Sequence, residues 1–280
     1  MKFEEQFEPP VLIGEGAFGR VYRVKDRKSG AVQALKVTEH EPVWQQEKRF
    51  LSLAEHPLFP KCLDAGAEDG KYYILMEYIW GEPLDVVLDR RRGFGQTDGV
   101  RLGLSVADGL AWLQEQDGKI LFRDLKAENL ILQPDGNVRL VDFGSACMLE
   151  EAAFSRSGTP GAAAPEQLSD DGKTGTYSDV YAFGRLLHYL ITGENPLYAE
   201  PEPLRTIDPG FSACLELLLE DCLRPAGEER LPDMYCVLER LMEIGTASPR
   251  DYRRMEKEAK ARLSGRYGTE GDVSYTKNVR

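Results

Sequence analysis

Paired cysteines, histidine, a surplus of positive charge and long apolar runs are all missing or scarce in this 280-residue chain. Each scarcity excludes something. The five cysteines (Cys62, Cys147, Cys214, Cys222 and Cys236) form no C-x-x-C pair. Neither a zinc ribbon nor a disulfide framework is expected, and a reducing compartment fits. Three separated histidines, His40, His56 and His188, offer no metal cluster. Lys and Arg number 35 against 47 Asp and Glu, a net charge of −12. Such a chain does not collect the phosphate backbone of nucleic acid by bulk electrostatics. The start, MKFEEQFEPP, lacks the apolar segment of a signal peptide. The longest apolar stretch, residues 72–80, contains Glu77 and is far too short to span a bilayer. The expectation is a soluble, cytoplasmic protein with no nucleic acid partner and no membrane span.

What remains is ordinary globular material, 42% hydrophobic and 29% charged, enough for one large domain or two modest ones. The first 80 or so residues read as strands: VLIGEGAFGRVYRVKD, a KSG turn, AVQALKV, and later KYYILMEYI. Between them, PVWQQEKRFLSLAEH reads as a helix opened by Pro42, with Phe50, Leu51, Leu53 and Ala54 as its apolar positions. From 82 to about 243 the pattern is helical, interrupted by short strand-like pieces near 130–141. Strands first and helices later predict two lobes of different class with a cleft between them.

Gly14, Gly16 and Gly19 with Val21 spell G-x-G-x-x-G-x-V. Glycine lets a backbone approach phosphates closely. A dinucleotide-binding turn needs a helix after this motif, whereas VYRVKD reads as strand. The loop is therefore a hairpin lid over phosphates or, more plainly, a glycine-rich β-turn. Lys36 lies in ALKV on the next strand. A lysine among apolar strand residues needs an anionic partner, or an edge from which to snorkel. Bound phosphates and the carboxylate of Glu47 are the candidate partners.

Two further segments carry acids between apolar runs. ILFRDLKAENLIL holds Asp124, Lys126 and Asn129, and VRLVDFGSA holds Asp142, Phe143 and Gly144. Ala164-Pro165-Glu166 follows. With the glycine loop and the strand lysine, these five motifs in order make residues 8–243 resemble the eukaryotic-type (Hanks-type) serine/threonine protein kinases. The compact loops lean toward a soluble bacterial member. The resemblance implies an α+β, bilobal fold: a small β-rich N-lobe with one main helix (1–80), a larger, mostly helical C-lobe (81–245), and a C-terminal helix with a flexible basic tail (246–280). It implies transfer of the γ-phosphoryl of Mg·ATP, or Mn·ATP, to Ser or Thr hydroxyls of proteins, this chain included.

The residue roles follow from the same resemblance and from the need of phosphoryl transfer for positioning and charge neutralisation. Asp124 would accept or orient the acceptor proton, and Lys126 would neutralise the γ-phosphoryl. Asn129 and Asp142, hard oxygen donors, would hold the metal ions. Lys36, oriented by Glu47, would grip the α- and β-phosphates. Met76 resembles the gatekeeper. Glu77 and Ile79 would offer backbone groups to adenine, and Ala34 and Ile131 would sandwich it. Lys126 and Thr159 favour Ser/Thr over Tyr transfer. Asp179, Glu166 and Arg230 match scaffold residues, the first holding the catalytic-loop backbone and the other two forming an ion pair.

Three departures from the family pattern stand out. Phe122 replaces the usual His, yet an aromatic ring there still stacks on Phe143, with Leu51 and Cys62 extending the apolar stack. Ala162 and Ala163 replace a bulky pair, which leaves substrate preference open. Lys36 and Glu47 lie only 11 residues apart, so the helix must begin abruptly at Pro42 and its swing is limited. Arg123 is the expected receiver of a loop phosphate, with Ser155, Ser157 and Thr159 as acceptors. Cys147 is either an exposed redox-sensitive thiol or an incidental structural one.

Beyond residue 245, Ser248-Pro249 reads as a helix cap and first turn. Tyr252, Met255, Ala259 and Leu263 form a stripe that docks on the chain's own domain or serves as a regulatory tail, with Ser264 a candidate phosphoacceptor. Residues 250–280 carry nine Lys or Arg and five Asp or Glu, which leaves residues 1–249 at −16. Such a surface favours substrates in basic segments. Two alternatives are kept: a pseudokinase serving as nucleotide-binding scaffold, and a kinase-like enzyme acting on a small molecule.

Overall fold

A computed structural model describes residues 3–16, 19–152, 157–170 and 172–267. After a one-turn helix, α1 (Phe3–Gln6), the chain forms β1 (Val11–Gly16), β2 (Gly19–Lys25) and β3 (Val32–Thr38), crosses to helix α2 (Glu41–Leu53), and returns as β4 (Cys62–Glu68) and β5 (Lys71–Glu77). These strands make one antiparallel sheet in the order β1-β2-β3-β5-β4. The turn after β2 is built by Asp26, whose Oδ1 accepts from the backbone N–H groups of Lys28 and Ser29. Gly30 supplies the positive φ of 73° that the turn requires.

Alternation along the strands sorts side chains onto two faces. Leu35 and Leu75 join Phe7 and Val24 in a small core on one face. Ala34, Ile74 and Met76 face the other way into the large core. The register sets Ala34 opposite Met76 and Lys36 opposite Ile74. Helix α2 packs here through Phe50 and Leu51, with Ala54 just past its end, all buried, whereas Leu53 is 49% exposed. The apolar reading of that helix therefore holds at three of its four positions. Strand β4, CLDAGAE, is poor in β-formers and carries no local strand signal; pairing with β5, with a register shift between Cys62 and Asp64, makes it a strand.

The second lobe begins with β6 (Glu82–Pro83), α3 (Leu84–Arg91) and α4 (Gly95–Glu115). β7 (Ile120–Leu121), a 3₁₀ turn (Ala127–Asn129), β8 (Leu130–Leu132), β9 (Val138–Leu140) and β10 (Cys147–Met148) follow. Two small sheets, β6-β8-β9 and β10-β7, frame the loop between Leu121 and Leu130. Helices α5 (Pro165–Leu168), α6 (Thr176–Thr192), α7 (Leu204–Ile207), α8 (Ala213–Cys222), α9 (Met234–Thr246) and α10 (Pro249–Tyr267) complete it. Helix α6 is nearly all buried. Helix α4 approaches it through glycines: a Cβ on Gly103 would lie 2.9 Å from Leu187 Cδ1, and one on Gly99 2.7 Å from Ile191 Cγ1. The glycine spacing of the sequence is thus a helix-packing device.

Helix α10 starts at Ser248, whose hydroxyl accepts from the Asp251 N–H and donates to the Asp251 carboxylate. Its stripe docks on the chain's own domain. Ala259 and Leu263 are buried with Ala213, Cys214 and Leu217 of α8, and Met255 packs beside them. Glu256 accepts from the backbone N–H groups of Ala213 and Cys214 at the start of α8. Arg266 reaches Glu220 and Asp221 at the other end. The tail beyond 267 lies outside the described residues. Among those described, no helix is long and apolar enough to cross a membrane.

Candidate active site

The loop after β7 is held from below. Asp179, on α6 and 1% exposed, accepts the backbone N–H of Arg123 at 2.8 Å and of Phe122 at 3.0 Å. Burial pushes this carboxyl above its usual range, and the two N–H bonds oppose it. Gln167 donates to the Arg123 carbonyl at 2.8 Å. These bonds fix Arg123 at a φ of 68°, a conformation a non-glycine residue keeps only when its surroundings impose it.

Phe122 meets Phe143 edge to face at 5.5 Å, as its aromatic character predicts. Phe143 in turn meets Phe59 at 5.1 Å, and Phe59 lies beside Trp112. Leu51 is buried and Cys62 half-buried in the same core, yet the ring in direct contact with Phe143 from the region before α3 is Phe59. Nothing local in the sequence marks Phe59 for this role.

Above the anchored loop the polar groups converge. The Asp124 carboxylate takes the Lys126 ammonium at 2.9 Å and the Thr159 hydroxyl at 2.8 Å. Lys126 also donates to the Thr159 hydroxyl at 2.7 Å. Asn129 donates to the Asp124 carbonyl at 2.8 Å and to its carboxylate at 3.2 Å. Asp124, Lys126 and Thr159 thus close a hydrogen-bonded ring, to which Asn129 is attached through Asp124.

A second set spans both lobes. Lys36 Nζ lies 2.7 Å from the Glu47 carboxylate and 2.8 Å from that of Asp142. Asp142, at a φ of 77°, also accepts the Gly144 N–H at 3.0 Å. Burial works to raise the Asp142 carboxyl, but the Lys36 charge and hydrogen bond outweigh it and hold the group below its ordinary value. Glu47 is only 3% exposed. Burial, with the Asp142 charge added, pushes its carboxyl up against the pull of Lys36. Burial opposes the Lys36 charge as well, yet the two carboxylates raise the ammonium above its usual value and keep it charged.

Ala34 and Met76 are buried, and Val21, Ile79 and Ile131 are half-buried. Pro83 lies opposite Ile131 in the β6–β8 pair. Gly81 precedes that pair at a place where a Cβ would stand 2.2 Å from the Leu132 carbonyl. The Glu77 side chain is taken by Arg139 at 2.8 Å and its N–H by the Lys61 carbonyl at 2.9 Å.

The three glycines of the loop do different work. A Cβ on Gly16 would meet nothing within 4 Å, and one on Gly14 only Val21 at 3.9 Å. A Cβ on Gly19 would stand 2.4 Å from the Val37 carbonyl. Gly19 is thus required by the packing of β2 on β3, whatever binds above it, whereas Gly14 and Gly16 leave open space. Residues 17 and 18 lie outside the described residues.

Among the described residues no group of three or more His, Cys, Asp or Glu side chains would hold a metal ion by itself. Asp142 and Asn129 supply hard oxygen chemistry suited to Mg²⁺, which is commonly held by one or two carboxylates together with substrate phosphates. The donor set fits an ion shared with a polyphosphate.

Several other expected residues fall elsewhere. Cys147 is 4% exposed in β10, and burial pushes its thiol up to about 11. The exposed redox-sensitive reading of this cysteine is therefore wrong. Ser155 lies outside the described residues. Ser157 and Thr159 precede α5, and Arg123 donates to the Ser145 carbonyl at 2.7 Å. Glu166 and Arg230 form a two-pronged ion pair at 2.7 and 2.9 Å, away from the ring around Asp124.

The family profile described as protein kinase domain matches residues 7–231. Similar curated proteins include a cAMP-dependent protein kinase catalytic subunit of Dictyostelium discoideum, 31% identical over 202 residues, which cover 69% of this chain and 31% of that protein. The cAMP-dependent protein kinase catalytic subunit PRKX of Homo sapiens is also 31% identical over 202 residues, with 69% and 56% covered. The putative serine/threonine-protein kinase PRKY of Homo sapiens is 32% identical over 196 residues, with 67% and 70% covered. The chain thus spans about a third to just over half of the first two relatives. With the profile over 7–231 and relatives above 30% identity, the chain belongs to the protein kinase family.

Proposed function

We propose that this chain is an ATP-dependent serine/threonine protein kinase whose acceptor hydroxyl is positioned by Asp124. The observation that carries the reading is the joint assembly of two sets. Lys36 with Glu47 and Asp142, and Asp124 with Lys126, Asn129 and Thr159, all stand in hydrogen-bonded contact within their set. Mg·ATP, when bound, supplies the transferable γ-phosphoryl group and the metal charge that neutralises it.

The chain's own groups do the rest. Lys36 holds the α- and β-phosphates, and Glu47 fixes its direction. Gly14 and Gly16 let the β1–β2 hairpin lie close over the phosphates. The Glu77 carbonyl and the Ile79 backbone face adenine, between Ala34 and Val21 on one side and Ile131 on the other, with Met76 behind. Asn129 and Asp142 hold metal ions. Asp124 accepts the hydroxyl proton as the acceptor oxygen attacks, and Lys126 stabilises charge on the moving phosphoryl group. Thr159, bonded to both Asp124 and Lys126, fits Ser/Thr transfer because its hydroxyl marks a place where an aliphatic hydroxyl meets the carboxylate. Substrates are protein segments with Ser or Thr, preferentially basic, given the −16 carried by residues 1–249. The kinase fold is divided at about residue 80, with 246–280 appended.

The test is transfer from γ-labelled ATP to basic and acidic generic protein substrates, with wild type beside Asp124→Asn. Labelled phosphoserine or phosphothreonine from the wild type alone supports the reading. Equal labelling by both proteins sinks the role of Asp124.

A further inference from the structure

Helix α2 carries Glu47, so whatever fixes α2 fixes Lys36. Its contacts extend well beyond that ion pair. One position before Glu47, Gln46 donates its side-chain amide to the Ala146 carbonyl. Two positions after it, Arg49 donates to Glu151 at 2.8 Å. The other Glu151 oxygen accepts the Met148 N–H at 3.1 Å. Gln46 and Arg49, on one helix, thus grip two points of the segment after Asp142, Ala146 and Glu151.

The opposite side of α2 is held by the sheet. Trp44 donates its indole N–H to the Tyr73 carbonyl at 2.9 Å and lies 5.0 Å from the Tyr72 ring. Tyr72 donates to Glu41 at 2.9 Å. The link from β3 to α2 consists of Glu39 and His40, a span of at most about 7 Å. A helix tethered this closely has little slack with which to leave.

We propose that Gln46 and Arg49 are positioning residues. They hold α2 against the segment after Asp142, and so keep Lys36, Glu47 and Asp142 assembled. The inference rests on the nucleotide-binding reading above. Gln46 carries more of the effect, because Ala146 is wholly buried and its carbonyl, deprived of the amide, has no water in exchange. Arg49 and Glu151 are each about half exposed, so their pair contributes less.

The full chain, freed of phosphate and verified by intact mass, is measured for its Mg·ATP dissociation constant by calorimetry and for KM and kcat. Gln46→Glu, isosteric but without the amide donor, is expected to raise both ATP constants about tenfold with kcat nearly unchanged and the melting temperature retained. Arg49→Glu is expected to raise them about threefold, and the swap Arg49→Glu/Glu151→Arg to restore them. A purely structural role would move the melting temperature and leave the constants of the folded protein alone.

Unchanged ATP constants in Gln46→Glu overturn the proposal. So does a swap as weak as Arg49→Glu. If Gln46→Glu fails to fold, the exposed charge swap decides. A wild type that binds Mg·ATP yet phosphorylates no protein defeats the kinase reading alone and leaves the binding constants to judge this one.

Discussion

The two lobes hold their reactive groups by different means. In the small lobe, Lys36 is directed by ion pairs with Glu47 and Asp142, over a sheet whose separate core is Phe7, Val24, Leu35 and Leu75. Its first strand leaves Val11, Leu12 and Ile13 nearly half exposed. In the large lobe, Asp124 sits on a loop whose backbone is bonded to Asp179, itself almost wholly buried in α6. The lesson is a division of labour. On the proposed reading, grip on the nucleotide would depend on charges that a small displacement can undo. Placement of the acceptor would depend on a buried frame that is lost only with the fold.

That contrast orders the expected effects of substitution. Asp124→Asn should lower kcat by about 10³-fold or more while the melting temperature stays put, since the buried frame below is untouched. Steady-state phosphorylation rates and a thermal melt check both halves. Arg230→Ala should do the reverse. It leaves Glu166 with the Ser178 hydroxyl but no cation, and breaking such a pair costs about 3–5 kcal/mol, read as a lower urea midpoint. Equal loss of stability in both variants would erase the contrast.

The glycines sharpen it within the small lobe. Gly19→Ala drives a methyl into the Val37 carbonyl and should cost about 1–3 kcal/mol of stability. Gly16→Ala meets open space and should leave the urea midpoint nearly unchanged while weakening ATP binding.

The acid limb of activity should belong to Glu47. Burial and the Asp142 charge raise its carboxyl above 4.5, whereas Lys36 keeps Asp142 below 3.8. As pH falls, Glu47 therefore takes its proton first, and the pair with Lys36 is lost while Asp142 is still charged. The stability terms have opposite signs. The Asp142 contribution is present above pH 3.8 and lost as the pH falls through its folded value. Glu47 costs stability as the pH rises through its own raised value. A kcat/KM profile whose acid limb starts above pH 4.5 and disappears in Glu47→Gln is the expected result. The smallest effect is at Cys147. With its thiol at about 11 and buried, it should resist maleimide at neutral pH in the native protein and react on unfolding, as mass spectrometry would show.

Legibility in the sequence followed the reach of each interaction. Lys36, Asp124, Asn129 and Asp142 stand in short motifs where residue type and local spacing carry the chemistry, and the strand-then-helix order carried the bilobal expectation. The Ser248 cap and the stripe of α10 were legible for the same reason, being local and periodic. Strand β4 was not, because CLDAGAE becomes a strand only when β5 lies beside it. Phe59, Gln46 and Glu256 were silent too. Gln46 meets Ala146, and Glu256 meets the start of α8, across many residues of intervening chain. No periodicity records such meetings. Gly19 shows a subtler limit: its motif pointed at phosphate, while its packing against Val37 requires glycine on other grounds.

The central claim is that the assembled groups of both lobes transfer a phosphoryl group to an aliphatic hydroxyl. Its most direct test is a single-turnover reaction of Mg·γ-labelled ATP with a basic Ser/Thr protein substrate, followed by phosphoamino-acid analysis, for wild type, Lys36→Met and Asp124→Asn. The account predicts labelled phosphoserine or phosphothreonine from the wild type and at least about a hundredfold less from either variant. Label on tyrosine, or transfer by Asp124→Asn at the wild-type rate, would contradict it.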